Sequence, residues 1–319
     1  MNNIIRVLPC FLLLASCISS TPVGSPTRTY AEVVTYEDHV LRMEAAELSS
    51  GQMAYIDEGS GPPVVLMHGI PTSSWMYRKV VRGLVDAGHR VIAPDLMGMG
   101  ASERIEDESK LTVRAQAEAM LELFGDHLGL RDWTHVVHDF AGPITWEMLG
   151  DERFRASKLV LLNTFAFDDG WDPGLSGITK AATTMGTSPP FDRAFYEMAV
   201  KGMVEDAAMA NGRMLHGYCR PLVEGGDVVY RCLYFEANDL RERLSGYQLA
   251  LAGSDLEVVG IVWGRHDDFL SAGAQLDQLQ KLMGVSSDRV QIVETAGHLI
   301  AEEAPDAVIA AVSGGSSQP

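Results

Sequence analysis

The octet Val136-Val137-His138-Asp139-Phe140-Ala141-Gly142-Pro143 constrains this chain more than any other stretch. An apolar, β-branched run ends on one acidic residue. Small residues follow at once, and Ile144 to Leu149 continues in a helix-like pattern. The stretch reads as a strand, a sharp turn and a helix, with Asp139 at the apex. Small residues at 141 and 142 let strand and helix close beneath the carboxylate. A carboxylate held out in this way can attack carbon, form a covalent ester and be regenerated by water. An ordinary βα turn whose Asp caps the helix fits the octet equally well, so the rest of the chain has to decide.

On either side of the octet, continuous apolar runs alternate with helical patterns. Pro63 to Met67, Arg90 to Ala93, Thr134 to Val137, Leu159 to Leu162, Val258 to Trp263 and Val290 to Val293 suit strands buried on both faces. Between them, Ser74 to Ala87, Leu111 to Leu128, Ala272 to Met283 and Ala301 to Val312 carry helical spacing. Such alternation predicts an α/β fold with right-handed crossovers and a mostly parallel sheet flanked by helices. Ahead of it, His39 to Leu48 and Gln52 to Asp57 predict an antiparallel hairpin. One segment, 165–255, interrupts the alternation. It has no convincing buried strand, carries helical patches such as Ala194 to Met209, and is too long for a loop. It is predicted to be an inserted helical cap, leaving a core of 35–164 and 256–314.

The formal net charge of −18 disfavours a polyanionic partner such as nucleic acid. The N-terminus reads as a leader. A short n-region with Arg6 precedes the apolar stretch Val7 to Ala15, which is too short to span a bilayer. Leu14-Ala15-Ser16-Cys17 resembles a bacterial lipobox, which implies a signal over 1–17 and lipidation of Cys17. With Ile18 rather than Asp next, that resemblance implies an outer-membrane lipoprotein of the bacterial cell envelope, facing the periplasm. A plain secretory signal with a chance cysteine is the alternative. Residues 18–34, rich in Ser, Thr, Pro and Gly over Ile18 to Thr29, read as a flexible tether. Of the four cysteines, Cys219 and Cys232 remain to the mature domain. In an oxidising compartment they could pair, or remain as buried thiols.

Three further motifs join Asp139. His68-Gly69-Ile70-Pro71 ends a buried strand and turns sharply, which would aim the Ile70 N–H into the same site as the Phe140 N–H and make an oxyanion hole. Gly297-His298 follows the last strand and places His298 to activate water. Trp263-Gly264-Arg265-His266-Asp267-Asp268 follows the strand before it, where a carboxylate can orient the imidazole. Asp267 and Asp268 compete for that role. The chain order nucleophile, acid, base is that of one family of triads.

With these motifs assembled, the chain resembles the α/β-hydrolase superfamily, in its branch of haloalkane dehalogenases and epoxide hydrolases. The similarity covers about Gly51 to Asn163 and Val258 to Val312. Ile70 to Arg78 and Asp95 to Gly100 are closest to the dehalogenases. The resemblance implies Asp139 as nucleophile, His298 as base and Asp267 as acid, the fourth residue after Trp263. Asn163 occupies the position where one dehalogenase subgroup keeps its acid, and an amide cannot carry that charge. No metal or organic cofactor is implied, and the substrate would be a small apolar organic molecule. Dehalogenases usually place Asn after His-Gly and Trp after the nucleophile, whose N–H groups hold the halide. Ile70 and Phe140 offer no such side chains, and a desolvated anion without donors is costly. Epoxide hydrolases need cap tyrosines instead. His68, Trp171, Tyr218, Tyr230 and Tyr234 are the candidates for substrate contact. Epoxide hydrolysis is therefore the leading expectation, haloalkane dehalogenation the second, and a ligand-binding homologue without turnover the third.

Overall fold

A computed structural model describes residues 35–169 and 192–314. The leader over 1–17 with Cys17, the tether over 18–34 and Trp171 lie outside the described residues, as do the side chains of Tyr230 and Tyr234. The described residues form an eight-stranded sheet ordered β1-β2-β4-β3-β5-β6-β7-β8. Its strands are β1 (Glu44–Leu48), β2 (Gly51–Gly59), β3 (Pro63–Met67), β4 (Arg90–Pro94), β5 (Trp133–Asp139), β6 (Ala156–Thr164), β7 (Glu257–Gly264) and β8 (Val290–Val293). β1 and β2 pair antiparallel with each other, β2 pairs antiparallel with β4, and every other pairing is parallel. The central strands are buried on both faces, with Val64, Val65, Leu66, Val136, Val137 and Leu159 to Leu162 all closed to solvent. This explains their unbroken apolar runs.

The helices are α1 (Tyr36–Val40), α2 (Arg78–Asp86), α3 (Val113–Leu121), α4 (Ala141–Met148), α5 (Arg193–Lys201), α6 (Gly212–Pro221), α7 (Asp227–Ala252), α8 (Asp277–Leu282), α9 (Ile300–Glu303) and α10 (Pro305–Ser313). α5, α6 and α7 lie between β6 and β7 and form the predicted cap.

Three expectations are corrected. The start of the predicted hairpin is helix α1, because the Thr35 side chain caps the Asp38 N–H and Glu37 and Asp38 fill its first turn. The predicted helix over Ala194 to Met209 stops at Gly202, and residues 203–210 run irregularly. The last predicted helix is broken into α9 and α10. Pro305 disfavours helical geometry in the residue before it, and Ala304 sits at φ −135°, ψ 58°.

No disulfide joins Cys219 and Cys232. Cys219 sits on α6 wholly within the apolar core, and burial pushes its thiol up to about 12. Cys232 lies on α7, beyond the kink at Gly225.

Candidate active site

The loops after β3, β5, β7 and β8 converge at the carboxyl ends of the parallel strands, where ligand sites of open α/β sheets form. Asp139 closes β5 and has φ 53°, left-handed backbone that a non-glycine residue rarely adopts. That strained turn holds the carboxylate out of the strand. Gly69 must lack a side chain, since a Cβ there would collide with the Asp139 carboxylate. The close approach lets the Ile70 N–H donate to Asp139 Oδ1 at 2.9 Å, and the Phe140 N–H also donates to the carboxylate. The two amides of the predicted oxyanion hole thus hold the nucleophile at rest. They remain in place to stabilise the anion when its ester is attacked. One such donor is worth about 3 kcal/mol of transition-state stabilisation.

His298 follows β8 and is buried. Its Nδ1–H donates to Asp267 Oδ2 at 2.9 Å, and its Nε2 stands 3.7 Å from Asp139 Oδ2. The second distance is too long for a hydrogen bond. It suits a base that acts on an intervening water rather than on the nucleophile itself. Asp267 Oδ1 accepts the Phe269 and Leu270 N–H groups, both at 2.9 Å, while Asp268 is exposed. The competition between the two acids is therefore decided for Asp267.

Asn163 contributes more than an absence of charge. Its Nδ2–H donates to Asp267 Oδ2 at 2.6 Å, and its Oδ1 accepts the Gly264 N–H at 3.2 Å. It bridges β6 and β7 and orients the acid. Its place at the end of a buried strand was visible in the sequence, but its partner was not.

Burial and charge act on the triad in opposing directions. Burial raises the Asp139 pKa above the ordinary carboxylate value, against the attraction of His298 and the two amides. For Asp267, burial is outweighed by the charge and hydrogen bond of His298, and its pKa falls. For His298, burial is outweighed by the Asp267 carboxylate, and its pKa rises above 6.5. An acid of low pKa beside a base of raised pKa is the arrangement that stabilises an imidazolium formed during water activation.

Two predicted substrate contacts are corrected. His68 has both ring nitrogens engaged by backbone. Nε2 accepts the Leu96 N–H at 3.0 Å and Nδ1 donates to the Gly69 carbonyl at 2.7 Å. It ties the loop after β3 to the loop after β4 and has no ring nitrogen left for substrate. Tyr218 on α6 donates its hydroxyl to Glu302 Oε2 at 3.2 Å. Glu302 is also paired with Arg78 and Lys79, so Tyr218 fastens cap to core. The Phe140 ring packs edge-on against Phe165, with centroids 5.3 Å apart.

Known proteins resemble this chain in sequence and in fold. The alpha/beta hydrolase fold family matches residues 62–191. Haloalkane dehalogenase 2 of Mycobacterium bovis is 30% identical over 275 residues, covering 83% of this chain and 91% of that protein. A haloalkane dehalogenase of Mycolicibacterium paratuberculosis is 39% identical over 132 residues, 40% of this chain and 42% of the relative. Among solved structures, haloalkane dehalogenase DpaA from Paraglaciecola agarilytica NO2 matches with a TM-score of 0.69 and 22% identity, covering 86% of this chain and 93% of that one. Epoxide hydrolase CorEH matches with a TM-score of 0.61 and 24% identity, covering 84% and 95%. At those identities the structures speak for the fold alone. With a full-length relative at 30% identity and an Asp139–His298–Asp267 triad in place, the chain belongs to the α/β-hydrolase superfamily, in its haloalkane dehalogenase and epoxide hydrolase branch.

Proposed function

We propose that this chain hydrolyses carbon–halogen bonds. Asp139 Oδ2 attacks the halogen-bearing carbon, the halide leaves with the bonding pair, and an alkyl ester forms. His298 Nε2 then takes a proton from water. The hydroxide adds to the ester carbonyl, whose oxyanion rests on the Ile70 and Phe140 amides. Collapse breaks the ester C–O bond, the departing alkoxide takes the proton from His298 and leaves as the alcohol, and the proton of the added hydroxyl is released to solvent, which restores the Asp139 carboxylate. The observation that carries this reading is the match to haloalkane dehalogenase 2 over most of both chains. It reverses the order expected from the motifs, which put epoxides first.

Epoxide opening keeps support from one feature. The side chains of Ile70 and Phe140 carry no N–H, so a departing halide needs donors from elsewhere. An epoxide would use the same ester and the same base.

Both readings meet one experiment. Purified protein is incubated with bromoalkanes and with terminal and aryl epoxides, and released bromide and diol are measured. Bromide release with little diol is the expected result. Diol without bromide would install the epoxide reading, and neither product over a broad panel would favour the binding homologue. The His298→Gln variant should trap the ester on Asp139, visible as a mass increase of the peptide that contains it. The leader supports a cell-envelope setting, and a Cys17→Ala variant still anchored in the membrane fraction would argue against lipidation.

A further inference from the structure

The backbone of the catalytic histidine is held by the cap. The Met203 carbonyl, in the irregular segment after α5, accepts the His298 N–H at 2.8 Å and the Leu299 N–H at 3.1 Å. These amides precede α9, a single turn with no side-chain cap of its own, so the cap's carbonyl supplies the missing acceptor. From the end of that turn Glu303 reaches back. Its Oε2 accepts the Gly297 N–H at 2.8 Å, and its Oε1 accepts the Glu205 N–H at 2.7 Å and the Asp206 N–H at 3.4 Å. One carboxylate thus clips 203–206 to the loop that carries His298. His298 is also held through its carbonyl, which accepts from His138 Nε2 and from the Ile300 N–H, both at 2.9 Å, and through its ring, bonded to Asp267 and packed against His138 and Phe269. Glu302, the neighbour of Glu303, meets the cap a second time through Tyr218.

We infer that the cap segment Met203–Asp206, clipped by Glu303, sets the position of His298, and that Glu303 is a positioning residue for the second half of the reaction. The inference rests on the covalent-ester reading above. Asp139 is placed by the strained end of β5 and the Ile70 and Phe140 amides, with no contribution from this segment. Placement of the nucleophile therefore depends on the core, whereas placement of the base depends on the core and the cap together. A base whose Nε2 stands 3.7 Å from Asp139 Oδ2 and must serve a water beside the ester is sensitive to small displacements.

The test separates the two half-reactions. Glu303→Ala removes the acceptors. Gly297→Ala leaves Glu303 in place and drives a Cβ to 2.9 Å from the Met203 carbonyl oxygen and 3.2 Å from the Glu205 nitrogen, wedging the clip apart. Gly297 has no left-handed φ, so alanine adds no backbone strain there. In single-turnover rapid-quench experiments with a substrate turned over by the wild type, both variants should form the Asp139 ester at the wild-type rate. They should hydrolyse it about tenfold to a hundredfold more slowly, so that the ester accumulates in steady state and is seen by mass spectrometry. Wild-type ester hydrolysis in folded variants would overturn the inference. So would equal slowing of both steps, the signature of a general distortion of the site. If Glu303→Ala does not fold, Gly297→Ala decides on the same criteria. His298→Gln is the control. No ester there means that the covalent reading fails, whereas ester there with none in the two clip variants means that only the clip fails.

Discussion

The two ends of the triad are built differently. Asp139 sits at the end of a buried central strand, its carboxylate held by amides that follow β3 and β5. Among the described residues, the hydrogen bonds that place it come from the parallel core. His298 sits on a loop after a four-residue edge strand and before a single helical turn. Its amide is held by the cap, its carbonyl by β5 and its ring by the loop after β7. A nucleophile has to be rigid relative to the oxyanion hole, and one strand with its turn can achieve that. A base that serves water has to be placed against two other loops, which needs contacts from several parts of the chain.

Substitutions can probe that contrast. The largest effect is expected from Asp139→Ala, which should lower turnover by about 10⁴-fold or more while the protein stays folded by circular dichroism. Near-full activity there would remove the nucleophile and with it the distinction between the two ends. Asp267→Asn should lower turnover by about 10³-fold to 10⁴-fold, and it should also move the pH profile. His298 must be neutral to accept a proton, and Asp267 holds its pKa above 6.5. In the wild type, ester hydrolysis should therefore fall on the acid limb of the pH profile, as His298 becomes protonated. Without the carboxylate, burial of His298 prevails and that limb should move to lower pH. An unmoved limb would mean that another group sets it.

These effects concern parts of the molecule that the sequence made legible. The alternation of strands and helices, the sharp turn at Asp139 and the glycine at 69 are local consequences of apolar runs and small residues. The resemblance implied Asp267 over its neighbour, and the structure agrees, because two loop amides and Asn163 fix its carboxylate while Asp268 faces solvent. His68 and Tyr218 were misread as substrate contacts. A polar side chain near a motif gives no sign, in one dimension, of which polar group will meet it.

Smaller effects would sharpen the account of the cap. Arg78→Met leaves the buried Glu302 with one cation fewer and should cost about 3 kcal/mol, read as a lower denaturation midpoint. Tyr218→Phe should cost about 1–2 kcal/mol through the lost bond to Glu302 and leave kcat unchanged. A large loss of kcat with an epoxide in Tyr218→Phe would instead return that hydroxyl to the chemistry.

By itself the sequence determined the parallel core, the inserted cap and the identity of the nucleophile and base. Each of these follows from local patterns: runs that must be buried on both faces, a turn that only small residues permit, and a histidine at a strand end. Tertiary structure alone decided that Asn163 orients the acid, that His68 is engaged by backbone and Tyr218 by Glu302, and that the cap reaches the catalytic loop through Met203 and Glu303. The reason is physical. Hydrogen-bond partners between residues a hundred positions apart are chosen by how elements pack in space, and no local spacing encodes them.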